Sequence, residues 1–333
     1  METQSRLIEP QEFSWHNYNL SQTKEKALFV NILGDLCNLV VEPQHNKGRK
    51  PRPMKDIVFA LVMKEYLNTS SRRVQSDLRL FAEAGFINSE IPFNTLLDHL
   101  ERRELKDVLR ELIELSSMPL KQIEKDFAID ATCFGTSRYT TYFDVRWGKN
   151  KDRQERVWRK CHAVCGIATN IITSIEITKG YVHDATQFEQ LAKDTNRNFK
   201  INYFIGDKGY QSIKNINVIR DLGGTAIIPF KKNQTGKGRR QGDSFTYKQL
   251  FNFFQKHRED FMKIYHRRSN IESCFSMIKR KFGNNVKCKK ETSQDNEILA
   301  RVLAHNICVL VQELFLNQID INFNKCSNEY VGK

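Results

Sequence analysis

Residues 127–132 read FAIDAT, an apolar run of strand length that contains one carboxylate, Asp130. Burying a carboxylate is costly unless it is paired or binds a metal. Residues 203–207 read YFIGD and predict a second short strand that ends in Asp207. Because ligand sites in α/β sheets gather at strand ends, both aspartates are candidates for one site. For Asp130 taken alone, a metal, a buried arginine and a helix cap all remain open as partners.

The segments around these two strands complete a sheet. Residues 163–178 predict a hairpin that turns at Asn170. Asp184, with Gln187 three residues on, is predicted to cap a helix that ends near residue 193. A helix over 212–222 and a strand over 225–229 follow. This order predicts the α/β class, with a mixed sheet flanked by helices.

The residues before position 120 follow a helical pattern, with apolar side chains at three- and four-residue steps. The predicted helices cover 24–41, 56–67, 71–84 and a long span from 92 to about 117. We therefore expect an all-α N-terminal domain over 1–120, an α/β domain over 121–318 and a tail over 319–333.

Composition restricts the class of function. The 333 residues carry a net charge of +14, which favours a polyanionic partner such as nucleic acid. The N-terminus has no signal-peptide pattern, and no apolar run reaches the roughly 20 residues of a membrane span. We therefore expect a cytoplasmic protein without a membrane partner. The eight cysteines do not follow zinc-site spacing and are interpreted as idle thiols.

A third acidic residue, Glu272, lies in a predicted helix over 265–282. Tyr265, Arg268, Glu272 and Lys279 follow at steps of three, four and seven, which would place them on one helix face. Arg268 and Lys279 are side chains that can hold phosphates. A solvated helix with salt links explains the same spacing when it is taken alone.

Taken together, the three acids point to metal chemistry. Two strand aspartates and a helix glutamate supply only oxygen ligands, which suit Mg²⁺ or Mn²⁺. Two such ions would activate a hydroxyl and stabilise the leaving oxygen of a phosphodiester without any side-chain nucleophile. The motifs of a nucleophile elbow, a phosphate-binding P-loop and a zinc protease are all missing from the sequence.

The motifs IDAT at Asp130, GDKGY at Asp207 and Y-x2-R-x3-E-x6-K from Tyr265 to Lys279 resemble those of DDE transposases of prokaryotic insertion sequences. The resemblance covers nearly the whole chain and implies an RNase H-like catalytic domain over 121–318 behind the helical domain. Too few residues lie between Asp207 and Glu272 to form the large inserted β-domain that some relatives have.

The resemblance also implies a mechanism. Asp130, Asp207 and Glu272 would be the catalytic residues and bind two Mg²⁺, for which Mn²⁺ can substitute. Water would cleave double-stranded DNA at the terminal inverted repeats of the element, and the freed 3′-hydroxyl would attack target DNA. Tyr265 and Arg268, together with Lys279, would contact DNA near the cleaved phosphate. A homodimer or larger assembly, in a prokaryotic cytoplasm and at the nucleoid, is expected.

Further DNA contacts are expected in three other segments. Residues 137–160 mix eight arginines and lysines with aromatic side chains. Such a segment can bind phosphates and stack on unpaired bases, but an ordinary amphipathic hairpin has the same composition. Residues 56–85 have helix–turn–helix proportions, although core packing explains them equally well. A basic loop covers 231–242. The candidate DNA-binding residues in these segments are Arg72, Arg73, Arg146, Trp147, Trp158, Lys231 and Lys232.

Two other functions share these features. A nuclease or resolvase with an RNase H fold would use the same three acids and cut DNA without strand transfer. A transposase derivative that only binds DNA would be a non-enzyme, and the three intact acids argue against it. A strand-transfer assay distinguishes the nuclease or resolvase from a transposase. An alanine variant of Asp130 with unchanged activity would support the protein that only binds DNA.

Overall fold

The computed structural model describes residues 14–42, 51–136, 158–231, 234 and 244–332. Within these residues, five α-helices come before the sheet, at Trp15–Cys37 (α1), Met54–Tyr66 (α2), Ser71–Glu83 (α3), Phe93–Leu100 (α4) and Glu104–Ser117 (α5). The strands are Asp126–Gly135 (β1), Trp158–Gly166 (β2), Ile172–Lys179 (β3), Tyr203–Gly206 (β4) and Thr225–Ile227 (β5). The remaining α-helices are Phe188–Asn198 (α6), Ile213–Asp221 (α7), Ser244–Lys256 (α8), Arg258–Tyr265 (α9), Ser269–Phe282 (α10), Glu291–Leu316 (α11) and Phe323–Glu329 (α12).

The five strands form one mixed sheet in the order β3-β2-β1-β4-β5. β1 pairs antiparallel with β2 and parallel with β4, while β2–β3 is antiparallel and β4–β5 is parallel. The hairpin between β2 and β3 turns at Asn170, which has a φ of 66°. The predicted fold class is confirmed: a mixed five-stranded sheet is flanked by helices and preceded by an all-helical region.

The helix α11 is the centre of the core. It packs against α1, α2 and α5 and also contacts β2 and β3. Its 26 residues are long and apolar enough to cross a membrane, but 78% of the most apolar window is buried within the described protein, as in a core helix. The predicted boundary at residue 120 stays a prediction, and both sides of it contribute to one hydrophobic cluster.

The prediction of a single helix from 92 to 117 is wrong, because the helix is interrupted between α4 and α5. Asn296 of α11 is fully buried, and its Nδ2 donates to the carbonyls of Leu100 (2.9 Å) and Arg102 (3.0 Å). These contacts satisfy backbone groups that a break in the helix leaves without intrahelical partners. The partner lies almost 200 residues further along the chain, so local periodicity could not reveal the break.

The predicted continuous helix over 265–282 is also interrupted. Residues His266–Arg268 form a 3₁₀ turn between α9 and α10. In this turn, Arg267 Nη1 lies 2.6 Å from Asp126 Oδ2, and Arg268 Nη1 lies 2.7 Å from Asp130 Oδ2. The tighter turn thus lets two consecutive arginines reach two aspartates of β1 that are four residues apart.

The predicted helix cap at Asp184 is a third correction. Residues Asp184–Thr186 form a 3₁₀ turn, and α6 begins only at Phe188. The Asp184 carboxylate instead contacts two side chains of β2, Lys160 Nζ at 2.6 Å and His162 Nδ1 at 3.3 Å. Asp184 therefore links the connection after β3 to the face of β2.

Candidate active site

Asp130 lies in β1, at the centre of the sheet, directly after the buried apolar residues Phe127–Ile129. Its Oδ1 accepts a hydrogen bond from the Ala131 amide at 2.8 Å. Burial raises the pKa of Asp130, and the negative charges of Asp207 and Glu272 add to this effect, while Ala131 and Arg268 oppose it. The carboxylate is therefore held close to two others, at a position that favours a cation.

Asp207 directly follows β4, which is the parallel neighbour of β1. The strands pair Ile129 with Gly206, so Asp130 and Asp207 are the next residues along the two strands. The Asp207 carboxylate accepts a hydrogen bond from the Gly209 amide and caps the turn Lys208–Tyr210. The register of two parallel strands thus brings the first two acids together, as the sequence predicts.

Glu272 comes from the first turn of α10, a helix that packs against β1 and β2. Arg268 joins it to the sheet, because its guanidinium contacts the carboxylates of Glu272 and Asp130 at the same time. Burial disfavours the charged form of Arg268, but these two carboxylates outweigh burial and raise its pKa. The Tyr265 ring lies 6.0 Å from the guanidinium carbon. The structure thus brings Tyr265 and Arg268 to the three acids.

Lys279 lies two turns further along α10. Its Nζ donates a 2.6 Å hydrogen bond to Thr132 Oγ1, two residues after Asp130, and sits 5.4 Å from the centre of the Phe134 ring. Burial lowers the pKa of Lys279. In the described part of the chain, no carboxylate forms an ion pair with Lys279, so its charge is available to an anion beside the acids.

The three acids suit Mg²⁺ or Mn²⁺ by chemistry, because they present only carboxylate oxygens. Their repulsion, which contributes to the raised pKa of Asp130, is the repulsion that a bound cation would relieve. Among the described residues, however, no three acidic, histidine or cysteine side chains lie close enough together to hold a metal. Arg268 instead bridges two of the acids, Asp130 and Glu272.

Two further groups lie behind the acids, and sequence reasoning missed one of them, Tyr210. Tyr210 is almost fully buried, and its hydroxyl has no hydrogen-bond partner in the described part of the protein. Burial raises its pKa, and so do the charges of Asp184, Asp130 and Asp207. Asp184 therefore lies near the acidic cluster and does not cap a helix as the sequence predicts. Local sequence carries no signal for this position, because Lys160 and His162 of β2 contact Asp184 only in the folded sheet.

The other predicted DNA-binding residues are spread over the surface. Arg72 and Arg73 are exposed in the first turn of α3, and the Arg72 guanidinium lies 5.0 Å from the Phe93 ring. Trp158 begins β2 and packs against Gly180. Lys231 is exposed after β5. The predicted contacts Arg146, Trp147 and Lys232 lie outside the described residues.

Comparison with known proteins identifies the family. The model of the transposase DDE domain matches residues 121–307, which include all three acids. Among solved structures, the chain is similar to a piggyBac transposase in a synaptic complex with hairpin DNA, with 11% identity and a TM-score of 0.42 over 95% of this chain and 78% of that chain. No curated protein matches the sequence. Because the family model covers more than half of the chain, the protein belongs to the transposases with a DDE domain.

Proposed function

We propose that this transposase cleaves double-stranded DNA at the terminal inverted repeats of an insertion sequence and joins the freed ends to target DNA. Asp130, Asp207 and Glu272 would be its catalytic residues and hold two Mg²⁺, for which Mn²⁺ can substitute. The observation that carries the proposal is that Arg268 contacts the carboxylates of Asp130 and Glu272 together, while the strand register places Asp207 beside Asp130.

The protein's own side chains have defined tasks in this proposal. Mg²⁺, when bound, would activate the attacking hydroxyl and stabilise the leaving oxygen. Lys279 and Arg268 would bind the phosphate being cleaved, Lys279 as a point charge and Arg268 through its planar fork of donors. Tyr265 would contact DNA beside Arg268. The hydrogen bond from the Gly209 amide would hold the Asp207 carboxylate in place at the end of β4.

DNA as the partner is supported by the family and by the net charge of +14. Trp158, Lys231, Arg73 and the residues outside the described ranges remain proposed DNA contacts. Since the two ends of an element must be held together, we also propose a homodimer or larger assembly on DNA. The site of action would be the nucleoid in the cytoplasm of a prokaryote.

Cleavage tests the proposal first. Purified protein is mixed with labelled linear DNA that carries the element end and its genomic flank, in Mg²⁺ or in EDTA. We expect metal-dependent nicking at the boundary, lost in Asp207→Ala and retained in Asp221→Ala. Asp221 is a matched control, because it is an exposed carboxylate of α7 that pairs with Arg220 at 2.7 Å. DNA binding without nicking in either Mg²⁺ or Mn²⁺ would support a protein that only binds DNA.

Strand transfer needs its own assay. Pre-cleaved element ends with free 3′-hydroxyls are incubated with a supercoiled plasmid and Mg²⁺, and joined products are sequenced. We expect insertion of the ends into the plasmid by the wild-type protein and none by Asp207→Ala. Nicking of the flank without any joined product would favour a nuclease or resolvase that has the same three acids.

A further inference from the structure

A basic cleft separates the first turn of α3 from the segment 287–290, which connects α10 to α11. The cleft has a volume of about 590 Å³. Its charged lining consists of one acid, Glu101, and the basic side chains of Lys64, Arg72, Lys287, Lys289 and Lys290. The hydroxyl-bearing residues Ser70 and Ser71, at the N-terminal end of α3, also line it. The cleft thus joins the helical region to the segment that follows the helix of Glu272.

Few of these basic charges are neutralised. Lys64 pairs with the buried Glu65, and Lys290 Nζ lies 2.5 Å from Glu101 Oε2. Lys287 instead contacts neutral oxygens, including Asn68 Oδ1 at 2.8 Å. Arg72, Lys287 and Lys289 form no ion pair with any acid of the described chain. Three cations that line one cleft therefore form no ion pair with the described residues.

The segment 287–290 is held in place by a buried network below it. Arg301, fully buried in α11, donates to the carbonyls of Gly283 (3.0 Å) and Asn285 (3.1 Å). Glu297, also fully buried, accepts from the backbone amides of Lys287 (2.8 Å) and Cys288 (2.9 Å). A surface segment anchored in this way presents its lysines with little loss of backbone freedom on binding.

The electrostatics of Lys287 agree with this description. Burial lowers the pKa of Lys287, and repulsion from Lys64 and Arg301 acts in the same direction, against attraction from Glu65 and Glu297. A bound anion would relieve that repulsion. Ammonium, guanidinium and the amides at the first turn of α3 are all donors, which suit a phosphate rather than the mixed donors and acceptors of a base edge.

We propose that this cleft binds phosphates of the DNA backbone, away from the three acids and without regard to base sequence. Arg72, Lys287 and Lys289 would make the contacts, with Lys290 at the rim beside Glu101. The proposal rests on the proposed function for the identity of the polyanion. It replaces the expected role of α3 as a helix that reads bases in a major groove, because Arg72 lines the cleft and approaches Phe93.

The test is DNA binding in EDTA, where cleavage does not interfere. Fluorescence anisotropy is recorded at several salt concentrations with two labelled duplexes, one carrying the element end and one of unrelated sequence. The test variant is Arg72→Ala with Lys289→Ala. The matched control is Lys193→Ala with Lys214→Ala, which removes two positive charges that pair with Glu189 on α6. Circular dichroism and thermal unfolding verify that both variants fold.

Each lost phosphate contact should lower the slope of log affinity against log salt by about 0.9. We therefore expect the test variant to lose about two units of slope and roughly tenfold or more in affinity, equally on both duplexes. The control should keep the wild-type slope. Lys289→Ala alone, which breaks no ion pair within the described residues, should lose about one unit.

Two results would overturn the proposal. One is a test variant whose slope and affinity equal those of the control. The other is a loss confined to the duplex with the element end, which would return α3 to base reading. In both cases the wild-type protein could still nick DNA in the cleavage assay that compares it with Asp207→Ala, so the proposed function would stand. A wild-type protein that binds neither duplex would end both proposals.

Discussion

The guanidinium of Arg268 lies 2.7 Å from the carboxylate of Asp130, in the position where a cation would balance the acidic cluster. The same guanidinium contacts Glu272. In the proposed function, Arg268 and a metal ion would therefore compete for two of the three carboxylates. DNA phosphates would offer Arg268 another partner and leave the carboxylates to the metal, so that metal binding and DNA binding would be linked.

The first prediction concerns this competition. Without DNA, Arg268→Ala should bind Mn²⁺ roughly tenfold or more tightly than the wild-type protein, because one competing positive charge is removed within a few ångströms of the site. Addition of duplex DNA should strengthen Mn²⁺ binding by the wild-type protein and change the variant less. Calorimetry or electron paramagnetic resonance of free Mn²⁺ measures both effects.

Arg267→Ala is the matched control for that measurement. Arg267 is the adjacent residue, but it pairs with Asp126 and not with any of the three acids. Its Mn²⁺ affinity should equal that of the wild-type protein. Equal or weaker Mn²⁺ binding by Arg268→Ala than by Arg267→Ala would contradict the competition.

The second prediction concerns the turn that orients Asp207. A Cβ atom at Gly209 would lie 2.8 Å from Asp207 Oδ1, too close for the carboxylate to keep its position. Gly209→Ala should therefore lower the nicking rate roughly 100-fold, in line with the effect of a small misplacement of a catalytic group. DNA binding in EDTA should stay at the wild-type level, since no DNA contact is removed.

Gly332→Ala provides the comparison for Gly209→Ala. Its added methyl group would make an ordinary contact, 3.5 Å from the Tyr330 ring, near the C-terminal end of the described chain. This variant should nick DNA at the wild-type rate. If Gly209→Ala also nicks at that rate, the turn does not fix the carboxylate.

Features carried by local sequence could be predicted, and features made by distant partners could not. Asp130 and Asp207 stand out because each follows an apolar run of strand length. The 3₁₀ turn before Ser269 could not be predicted, since its arginines bind Asp126 and Asp130, about 140 residues earlier. Asp184 fits a helix cap by spacing, and only the packed sheet shows that Lys160 holds its carboxylate.

The third prediction concerns the buried network below the basic cleft. Arg301 Nε lies 2.8 Å from Glu65 Oε2, and Arg301 also contacts Glu297, with all three side chains buried. Arg301→Ala should lower the free energy of unfolding by about 3–5 kcal/mol, because two carboxylates would remain buried without this partner. Urea unfolding followed by circular dichroism measures the loss.

An exposed ion pair, Arg79 with Glu83, provides the comparison for Arg301→Ala. Arg79 Nε lies 3.2 Å from Glu83 Oε1, and both side chains are more than 60% exposed. Arg79→Ala should change the free energy of unfolding by no more than about 0.5 kcal/mol. A similar value for the two arginine variants would mean that the buried network contributes little to stability.

The fourth prediction is a pH dependence of stability. Glu313 is buried in α11, and burial raises its pKa to about 7, with a smaller contribution from the charge of Glu124 and an opposing hydrogen bond from Asn317. Its ordinary pKa is 4.5, so between pH 4.5 and 7 the folded protein binds a proton that the unfolded chain releases. The contribution of Glu313 to stability is therefore fully present below pH 4.5 and is lost as the pH rises to 7.

Replacing Glu313 by Gln should prevent this loss of stability at higher pH, because the amide keeps the shape of the protonated acid and carries no charge. Glu313→Gln should stabilise the protein by roughly 3 kcal/mol at pH 8 and by little at pH 4.5, as a pKa raised from 4.5 to about 7 implies. Urea unfolding at both pH values measures the difference, with the exposed Glu104→Gln as the control. A gain that is the same at both pH values would show that ionisation of Glu313 does not cause it.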